Sequence, residues 1–368
     1  MSYKALYRKY RPRTFEEVVG QEHITTTLAN QVKSGAINHA YLFTGARGTG
    51  KTSTAKIFAK AINCQHNNNG SPCFECETCR ALDDPGNIDI VEIDAASNNR
   101  VDEVREIREN VKFLPTSGKF KVYIIDEVHM LTDSAFNALL KTLEEPPAHV
   151  VFILATTEVH KLPATILSRC LRFDFRLVSV ETLSELLKKI FAEENIKCEE
   201  EAFKAIAVAG QGSVRDTLSV ADCISAYTGG NITLNSVMEI LGTNEYKTIM
   251  SLTDKMFEKD LGACFEIVNG VSESGKNMSV FAKDISVHFR NLLVIKTAKD
   301  ANSLLSLPQE MFLEYKAQAD KIDEKWLIDN MKIFSAIEAE LRYSLSPKIL
   351  VETAIIKALG DGGVKKNG

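Results

Sequence analysis

The sequence lacks the features of a membrane or secreted protein. Its 368 residues contain no apolar run that approaches the roughly 20 residues needed to cross a bilayer. The basic start, MSYKALYRKYRPR, has no apolar segment of the kind that a signal peptide carries. The net charge is −5, so the chain as a whole is not a cation that would bind nucleic acid non-specifically. Any contact with nucleic acid therefore requires a local basic patch. We therefore expect a cytoplasmic protein with no membrane partner.

Internal repeats, long low-complexity tracts and clustered histidines are also missing. The composition, with 45% hydrophobic and 25% charged residues, is ordinary for a soluble globular protein, and the length predicts two or three domains. Four of the eight cysteines lie in one short stretch, whereas a secreted disulfide framework would be shorter and denser in cysteine. We expect all eight thiols to be reduced. The four clustered cysteines would bind a metal, and the cysteines at positions 170, 198, 223 and 264 would be isolated, buried side chains.

The hydrophobic pattern changes near residue 177. Before it, short runs rich in β-branched and aromatic residues alternate with helical periodicity, which is typical of buried parallel strands in an α/β sheet. The predicted strands are residues 40–43, 88–93, 122–125, 150–155 and 171–175, and the predicted helices are 21–33, 51–62, 101–110 and 134–143. After residue 178 the pattern is helical, with breaks at 227–231, 241–244, 306–308 and 346–347. This predicts an α/β domain, a small helical domain and a larger helical domain.

A glycine-rich loop lies between a predicted strand and a predicted helix, and it matches G-x-x-x-x-G-K-[ST] in full. Glycines let backbone N–H groups wrap phosphates, and the following helix N-terminus favours negative charge. In this motif Lys51 reaches the β- and γ-phosphates and the Thr52 hydroxyl ligates Mg²⁺. The predicted ATP-binding loop consists of Gly45, Ala46, Arg47, Gly48, Thr49, Gly50, Lys51, Thr52 and Ser53.

Two carboxylates follow the predicted strand KVYII. Asp126 is predicted to bind the magnesium ion of the nucleotide, and Glu127 to orient or deprotonate the attacking water. Thr156 and Thr157 end the next predicted strand, where a hydroxyl would hold this water or sense the γ-phosphate. The alternative for the threonines is plain capping of a strand end.

Two arginines have two interpretations each. Arg169, in Ser-Arg-Cys before the last predicted strand, is either a surface charge or an arginine finger that reaches the nucleotide of a neighbouring subunit. Arg215 begins a helix of the second domain and either folds back onto the γ-phosphate or pairs with an acid such as Asp216.

The cysteine cluster consists of Cys64, Cys73, Cys76 and Cys79. Four thiolates grouped this tightly suit tetrahedral Zn²⁺ and leave no open coordination position, so we expect a structural zinc site. An iron–sulfur cluster or free thiols in a loop are the alternatives. Because no ligand belongs to the phosphate loop, we expect loss of the metal to leave nucleotide affinity largely intact.

Together these motifs resemble one family, the gamma/tau subunits of bacterial DNA polymerase III. The segments that carry the resemblance are MSYKALYRKYRPRTFEEVVGQEHI, HAYLFTGARGTGKTS, EIDAASNN, KVYIIDEVHMLTDSAFNALLKTLEEPP, LATTE and ILSRC. The resemblance implies an α/β P-loop AAA+ domain with a RecA-like parallel sheet, a helical lid and an all-helical collar. The expected bounds are 1–177, with a zinc insertion at 64–79, then 178–242 and 243–360, followed by a frayed tail at 361–368.

The resemblance also implies roles for individual residues. Arg169 would act in trans on the next subunit's ATP, Arg215 would be the second sensor, and the four cysteines would bind zinc. The segment with Tyr7, Arg11, Pro12 and Val19 would pack near the adenine. DNA-tracking helices would begin at the segments with Arg100, Arg105, Lys141 and Lys161, for each of which a solvated helix face is the alternative.

The implied function is that of a clamp loader ATPase, part of a DNA-directed DNA polymerase holoenzyme. Copies of the chain would assemble with delta-type subunits into an open ring that opens a sliding clamp and loads it onto primer–template DNA. The cofactors would be ATP, Mg²⁺ and structural Zn²⁺, and a longer tau form would also bind the polymerase core and the helicase. The alternatives are another ring-forming ATPase, such as a branch-migration helicase or an unfoldase, or a polymerase scaffold that does not hydrolyse ATP.

Overall fold

The chain folds into two compact units, which consist of residues Met1–Lys197 with Ala209–Gly230 and residues Cys198–Val208 with Asn231–Gly368. The computed structural model describes residues 4–360 apart from 68, 85, 98–100, 241, 242, 306, 308 and 342, and only the backbone of 101–105, 243–245 and 310. Arg100 and the predicted tail therefore lie outside the described residues, as do parts of two predicted breaks. Among the residues described, no helix is long and apolar enough to cross a membrane.

A five-stranded sheet, parallel throughout, forms the centre of the first unit. Its strands are β1 (Ala40–Gly45), β2 (Ile90–Asp94), β3 (Lys121–Asp126), β4 (Val150–Thr156) and β5 (Leu171–Phe175). All five predicted strands are confirmed to within two residues at each end. Their order is β2-β3-β4-β1-β5, so β3, β4 and β1 are neighbours whose carboxyl ends meet at one edge. Ligands of such sheets bind beyond the carboxyl ends of the strands.

Helices cover both faces of this sheet. They are α1 (Leu6–Lys9), α2 (Glu22–Ser34), α3 (Lys51–Ala61), α4 (Glu77–Leu82), α5 (Val101–Asn110), α6 (Asp133–Glu144), α7 (Ala164–Leu167) and α8 (Val180–Glu194). Single 3-10 turns occur at Phe15–Glu17, Val128–Met130 and Val159–Lys161. After α9 (Glu200–Ala209), which belongs almost wholly to the second unit, α10 (Val214–Thr228) returns to the first.

The alternation of side chains along β1 explains the two core layers of the first unit. Tyr41 and Phe43 point to the layer that α2 and α3 cover, while Ala40 and Leu42 point to the layer that contains α6 and α7. Successive strand residues face opposite sides of a sheet, and both sides here are buried. This double burial accounts for the continuous apolar runs in the sequence.

Among its described residues, the second unit is helical apart from two strands of two residues each. Its further elements are β6 (Lys197–Cys198), β7 (Asn231–Ile232), α11 (Leu234–Ile240), α12 (Thr243–Phe257), α13 (Leu261–Glu273), α14 (Met278–Thr297), α15 (Ala301–Leu305), α16 (Gln309–Ala319), α17 (Glu324–Leu341) and α18 (Pro347–Leu359). Phe281, Ile285, Phe289 and Leu292 lie on one side of α14 at helical spacing and are buried in a core shared with α17 and α18. The two short strands were not predicted, because two residues are too few to show a period.

Candidate nucleotide site and metal centre

The glycine-rich loop joins β1 to α3 in a backbone conformation that requires glycine. Gly45, Gly48 and Gly50 have φ values of 140°, 76° and 103°. A Cβ atom on Gly48 would lie 2.0 Å from the Ser213 Oγ, and one on Gly45 would lie 2.4 Å from the Phe175 carbonyl oxygen. The loop thus packs against its surroundings at distances that no side chain tolerates, while its N–H groups stay available for phosphate oxygens.

Lys51 is the first residue of α3, and its side chain is buried within the loop. Its Nζ donates to the carbonyl oxygens of Gly45 and Ala46, each at 2.8 Å. Burial lowers the pKa of Lys51, and the carboxylates of Glu127 and Asp126 oppose this by favouring the charged form. A buried ammonium group facing two carboxylates suits a site that binds a polyanion together with a cation.

Thr52 and Asp126 meet across the ends of α3 and β3. The Thr52 hydroxyl donates to Asp126 Oδ2 at 2.6 Å, and Asp126 Oδ1 accepts the backbone N–H of Glu127 at 2.9 Å. Residues 74 positions apart are thereby placed as a hydroxyl–carboxylate pair. Oxygen ligands of these two types are what Mg²⁺ takes in proteins when it binds with phosphates, so the residues present fit this ion.

Glu127 follows Asp126 in a left-handed conformation, with φ 46° and ψ 44°. This conformation is uncommon for a residue with a side chain. Its Oε2 accepts from the Thr157 hydroxyl at 3.0 Å and from the Thr157 N–H at 3.3 Å. Because β3 and β4 are neighbours, the predicted proximity of the acidic pair and the threonines is found.

His129, which was not predicted, extends this network. Its Nδ1 lies 3.0 Å from Thr156 Oγ1 and 3.4 Å from Glu127 Oε2, and its Nε2 lies 3.1 Å from Glu158 Oε2. The ring is nearly buried, with a side-chain exposure of 6%. A histidine two positions after an acidic pair carries no motif by itself, which is why only the fold brings it to light.

A cavity of about 740 Å³ extends from the loop toward the N-terminal segment and α10, all within the first unit. Predicted residues that line it are Tyr7, Arg11, Pro12, Val19, Arg47, Gly48, Thr49, Gly50, Lys51, Thr52, Ser53, Asp126, Glu127 and Arg215. Gly45 and Ala46 contact Lys51, and Thr157 contacts Glu127, as described above. The lining also contains residues that were not predicted to contact the nucleotide: Arg8, Tyr10, Glu17, Val18, Glu92, Asp94, Ala96, Leu186, Val214 and Leu218.

Arg215 and Tyr7 lie on the same side of this cavity. The guanidinium carbon of Arg215 is 5.4 Å from the centre of the Tyr7 ring, and the backbone N–H of Arg215 donates to the Gly48 carbonyl oxygen at 3.4 Å. Nearby, Arg11 Nε donates to Ser53 Oγ at 3.0 Å. The N-terminal segment and the start of α10 thus both contact the phosphate loop or the helix that follows it.

Arg169 does not line this cavity, and its hydrogen-bond partners are nearby surface residues of the same chain. Its Nη2 is 2.8 Å from Glu144 Oε1, and its Nη1 donates to the Thr165 carbonyl oxygen at 2.8 Å. About a third of the side chain is exposed. The geometry therefore does not bring Arg169 to the chain's own phosphate loop, and its role stays a prediction.

The residues predicted to contact DNA are only partly described. The side chain of Arg105 lies outside the described residues, like all of Arg100. Lys141 is exposed on α6. Lys161 Nζ lies 2.6 Å from Glu158 Oε2, the same carboxylate that contacts His129. Their contacts with DNA stay predictions.

The four predicted cysteines come together. Their sulfur atoms all lie within 4.8 Å of one another, with Cys64 and Cys73 at 3.4 Å and Cys73 and Cys79 at 3.9 Å. Tetrahedral zinc with Zn–S bonds near 2.3 Å requires sulfur separations of about 3.8 Å, so the donor set fits this ion.

Backbone N–H groups are directed at three of the cysteine sulfurs and stabilise negative charge on them. The N–H groups of Cys73, Cys76 and Cys79 each point at the preceding cysteine's sulfur at 3.4 Å. Burial raises the pKa of Cys64 and of Cys79. At Cys76 the effect of burial is outweighed by the N–H groups of Cys79 and Gln65, and the pKa falls to about 6. An N–H directed at sulfur favours the thiolate, which is the form that binds metal.

Family models cover nearly the whole chain. A model described as DNA polymerase III, delta subunit matches residues 20–179, and one described as DNA polymerase III clamp loader subunit, ATPase lid domain matches 182–230. A third, DNA polymerase III subunits gamma and tau domain III, matches 232–364. The DNA polymerase III subunit gamma of Buchnera aphidicola is 37% identical over 364 residues, covering 98% of this chain and 99% of that protein. The chain belongs to the gamma/tau family of DNA polymerase III subunits.

Other relatives of this gamma/tau chain are longer. The DNA polymerase III subunit tau of Bacillus subtilis is 44% identical over 359 residues, which cover 97% of this chain but 63% of that protein. The chain thus spans about three fifths of the length of that relative. A solved Thermotoga maritima RuvB Holliday junction branch migration motor aligns with a TM-score of 0.50 at 18% identity, covering 72% of this chain and 85% of the other. That likeness concerns the fold alone.

The predicted fold class is confirmed. The gamma/tau chain has an AAA+ architecture with a five-stranded parallel sheet, a lid region that contains α8 and α10, and a helical C-terminal region. The exact domain bounds and the roles of the site residues stay predictions.

Proposed function

We propose that the chain is an ATPase subunit of a replicative clamp loader. The observation that supports this best is the convergence of Lys51, the Thr52–Asp126 pair and Glu127 at one sheet edge in a member of the gamma/tau family. A subunit that only held other proteins together would have no need of this arrangement. With delta-type subunits and further copies of itself, the chain would form an open ring that loads a sliding clamp onto primer–template DNA.

Each residue of the site has a proposed task. Lys51 and the N–H groups of the loop bind the β- and γ-phosphates, and Thr52 and Asp126 hold magnesium. When bound, this ion supplies positive charge to the phosphate oxygens. Glu127 accepts a proton from the attacking water or orients it, and Thr157 holds the carboxylate of Glu127 in place. Tyr7, Arg11, Pro12 and Val19 form the side of the cavity that receives the base.

Arg215 and Arg169 would link hydrolysis to the assembly. Arg215 lies at the start of α10, in the lid region, and contacts the loop through its backbone, so the angle of this helix would respond to the γ-phosphate. Arg169 lies on the surface with a carboxylate partner at 2.8 Å, which it would exchange for the nucleotide of a neighbouring subunit. An arginine finger supplied in trans is worth roughly 10³–10⁵ in rate where it has been measured.

Mixed assemblies test the proposal. An Arg169→Ala subunit should silence its neighbour's site by about 100-fold or more, while its own site, served by an intact partner, still turns over. Arg172→Ala is the matched control, because this arginine is also exposed and paired with a carboxylate in its own chain. Hydrolysis should be measured with and without clamp and primed DNA. No stimulation by clamp and DNA in the intact assembly would contradict the clamp loader function, and loss at the mutant's own site would contradict action in trans.

A further inference from the structure

We propose that the four-cysteine insertion positions the base side of the nucleotide cavity, so that metal bound there strengthens ATP binding without touching the phosphate loop. The insertion is defined here as residues 64–83, from the first cysteine to the residue that follows α4. This inference rests on the proposed nucleotide site and adds to it a task for a metal centre that otherwise serves stability alone. It also revises the expectation that the metal leaves nucleotide affinity intact.

The insertion packs closely against α2 and forms an ion pair with α3. Gly70 has φ 93°, and a Cβ atom there would lie 2.7 Å from the Ala29 carbonyl oxygen on α2. Lys60, on the helix that follows the phosphate loop, forms an ion pair with Asp83. The insertion is thus attached at Gly70 and at its last residue, on either side of Cys73, Cys76 and Cys79.

The insertion contacts the N-terminal segment through hydrogen bonds, a cation–π contact, and an ion pair between Arg13 and Asp83 at 3.9 Å. Ser71, which is 3% exposed, accepts the backbone N–H of Phe15 at 3.0 Å and donates to Glu16 Oε2 at 2.8 Å. The Arg13 guanidinium lies 4.4 Å from the centre of the Phe74 ring, within the range of a cation–π contact. Phe74 stands between the ligands Cys73 and Cys76 and has a φ of 61°, a conformation that the metal loop must maintain.

The segment that is held here continues directly into the wall of the cavity. The Arg13 backbone N–H donates to Glu17 Oε2 at 2.7 Å. The cavity is lined by Glu17, the last residue of the turn at Phe15–Glu17, and by Val18 and Val19 after it. Arg11 and Pro12 line it before that turn. One stretch of chain therefore contacts the insertion in its middle and the cavity at both ends.

A bound metal would fix the part of the insertion that makes these contacts. Four thiolates on one zinc ion hold positions 64, 73, 76 and 79 in a single geometry, and such binding free energy stabilises the local fold. Without metal, the loop that contains Ser71 and Phe74 keeps only its own weak contacts. The N-terminal segment would then sample more conformations, and nucleotide binding would have to restore the ordered one at a cost in affinity.

Within the phosphate loop, Lys51 and Thr52 have supports that do not involve the N-terminal segment. Lys51 is held by carbonyl oxygens of the loop, and Thr52 by Asp126. The proposal therefore predicts a selective effect: loss of metal weakens binding of ATP, which has a base, and spares binding of tripolyphosphate, which has none. A general loosening of the protein would weaken both ligands alike.

The experiment measures ATP and tripolyphosphate affinity in the full chain with one zinc per chain and after removal of zinc by a chelator. Circular dichroism should first show that the chelated protein keeps its helical content. We expect ATP affinity to fall about tenfold, as befits the loss of a cation–π contact and a hydrogen bond, and tripolyphosphate affinity to change less than about twofold. Re-addition of zinc should restore ATP affinity.

A variant separates the contact from the metal. Phe74→Ala keeps all four thiols and should keep the full zinc content, yet it should reproduce the selective loss of ATP affinity. Glu75→Ala, at an exposed position next to it, is the matched control and should behave as the unaltered protein. Unchanged ATP affinity in both the folded zinc-free protein and Phe74→Ala would overturn the inference, and so would an equal loss for the two ligands. If the unaltered protein binds no ATP at all, it is the proposed function that fails.

Discussion

The two units of the chain differ in where their polar side chains are directed. In the first unit, side chains at the ends of β3 and β4 and at the start of α3 converge at one sheet edge, where a lysine, a threonine and two carboxylates face a cavity. In the second unit, Gln318 joins buried polar groups inside the core: its Oε1 lies 2.8 Å from His288 Nε2, and its amide donates to the Met250 carbonyl oxygen and to Asp254. Polar groups that remain directed at a cavity indicate chemistry, whereas groups that pair inside a core indicate a scaffold.

The largest expected effect is the loss of ATP binding in the first unit. Lys51→Ala removes the buried ammonium group that faces the phosphates, so we expect ATP affinity to fall about 1,000-fold or more, while the unfolding of the second unit is unchanged. Titration with a fluorescent ATP analogue measures this. Lys33→Ala, an exposed lysine on α2, is the control and should bind normally. Near-normal affinity in Lys51→Ala would place the phosphates elsewhere.

The converse change belongs to the second unit. Phe289 is fully buried on α14, and its ring centre lies 5.6 Å from that of Trp326 and 5.7 Å from that of Phe334. Phe289→Ala should lower the free energy of unfolding by about 3–5 kcal/mol and leave ATP affinity of the folded protein unchanged. Denaturant unfolding measures the loss, with Val287→Ala, exposed on the same helix, as the control. A fall in ATP affinity of the folded protein would break the division of tasks between the units.

A smaller effect concerns acid stability. Burial lowers the pKa of His288 to about 4, against 6.5 for an ordinary histidine, although Gln318 opposes the shift by favouring the charged form. His288 therefore binds a proton more readily in the unfolded chain than in the folded one. The contribution of neutral His288 to the free energy of unfolding is complete above pH 6.5 and is lost as the pH falls toward 4. The loss is about 3 kcal/mol at most. His288→Gln should remove this part of the pH dependence, and an unchanged slope between pH 6.5 and 4 would contradict the interpretation.

The sequence predicts some parts of the site and not others for a physical reason. The phosphate loop and the pair Asp126–Glu127 are local patterns, since each depends on neighbours along the chain, and their positions at strand ends follow from the alternation of strands and helices. The approach of Thr157 to Glu127 follows because adjacent parallel strands end together. The contacts of His129 with Glu158 and of Phe74 with Arg13 join residues whose proximity depends on how loops close, and no local pattern encodes that.

Glu127 provides the most direct test of the central claim, that the sheet edge of the first unit hydrolyses ATP. In a reconstituted assembly stimulated by clamp and primed DNA, Glu127→Gln keeps the size and the hydrogen bonding of the side chain but removes its basicity. ATP affinity should remain within about threefold, while turnover should fall by roughly 100- to 10,000-fold. Glu185→Gln, exposed on α8, makes the same chemical change away from the site and should turn over normally. Normal multiple-turnover hydrolysis in Glu127→Gln would contradict the account.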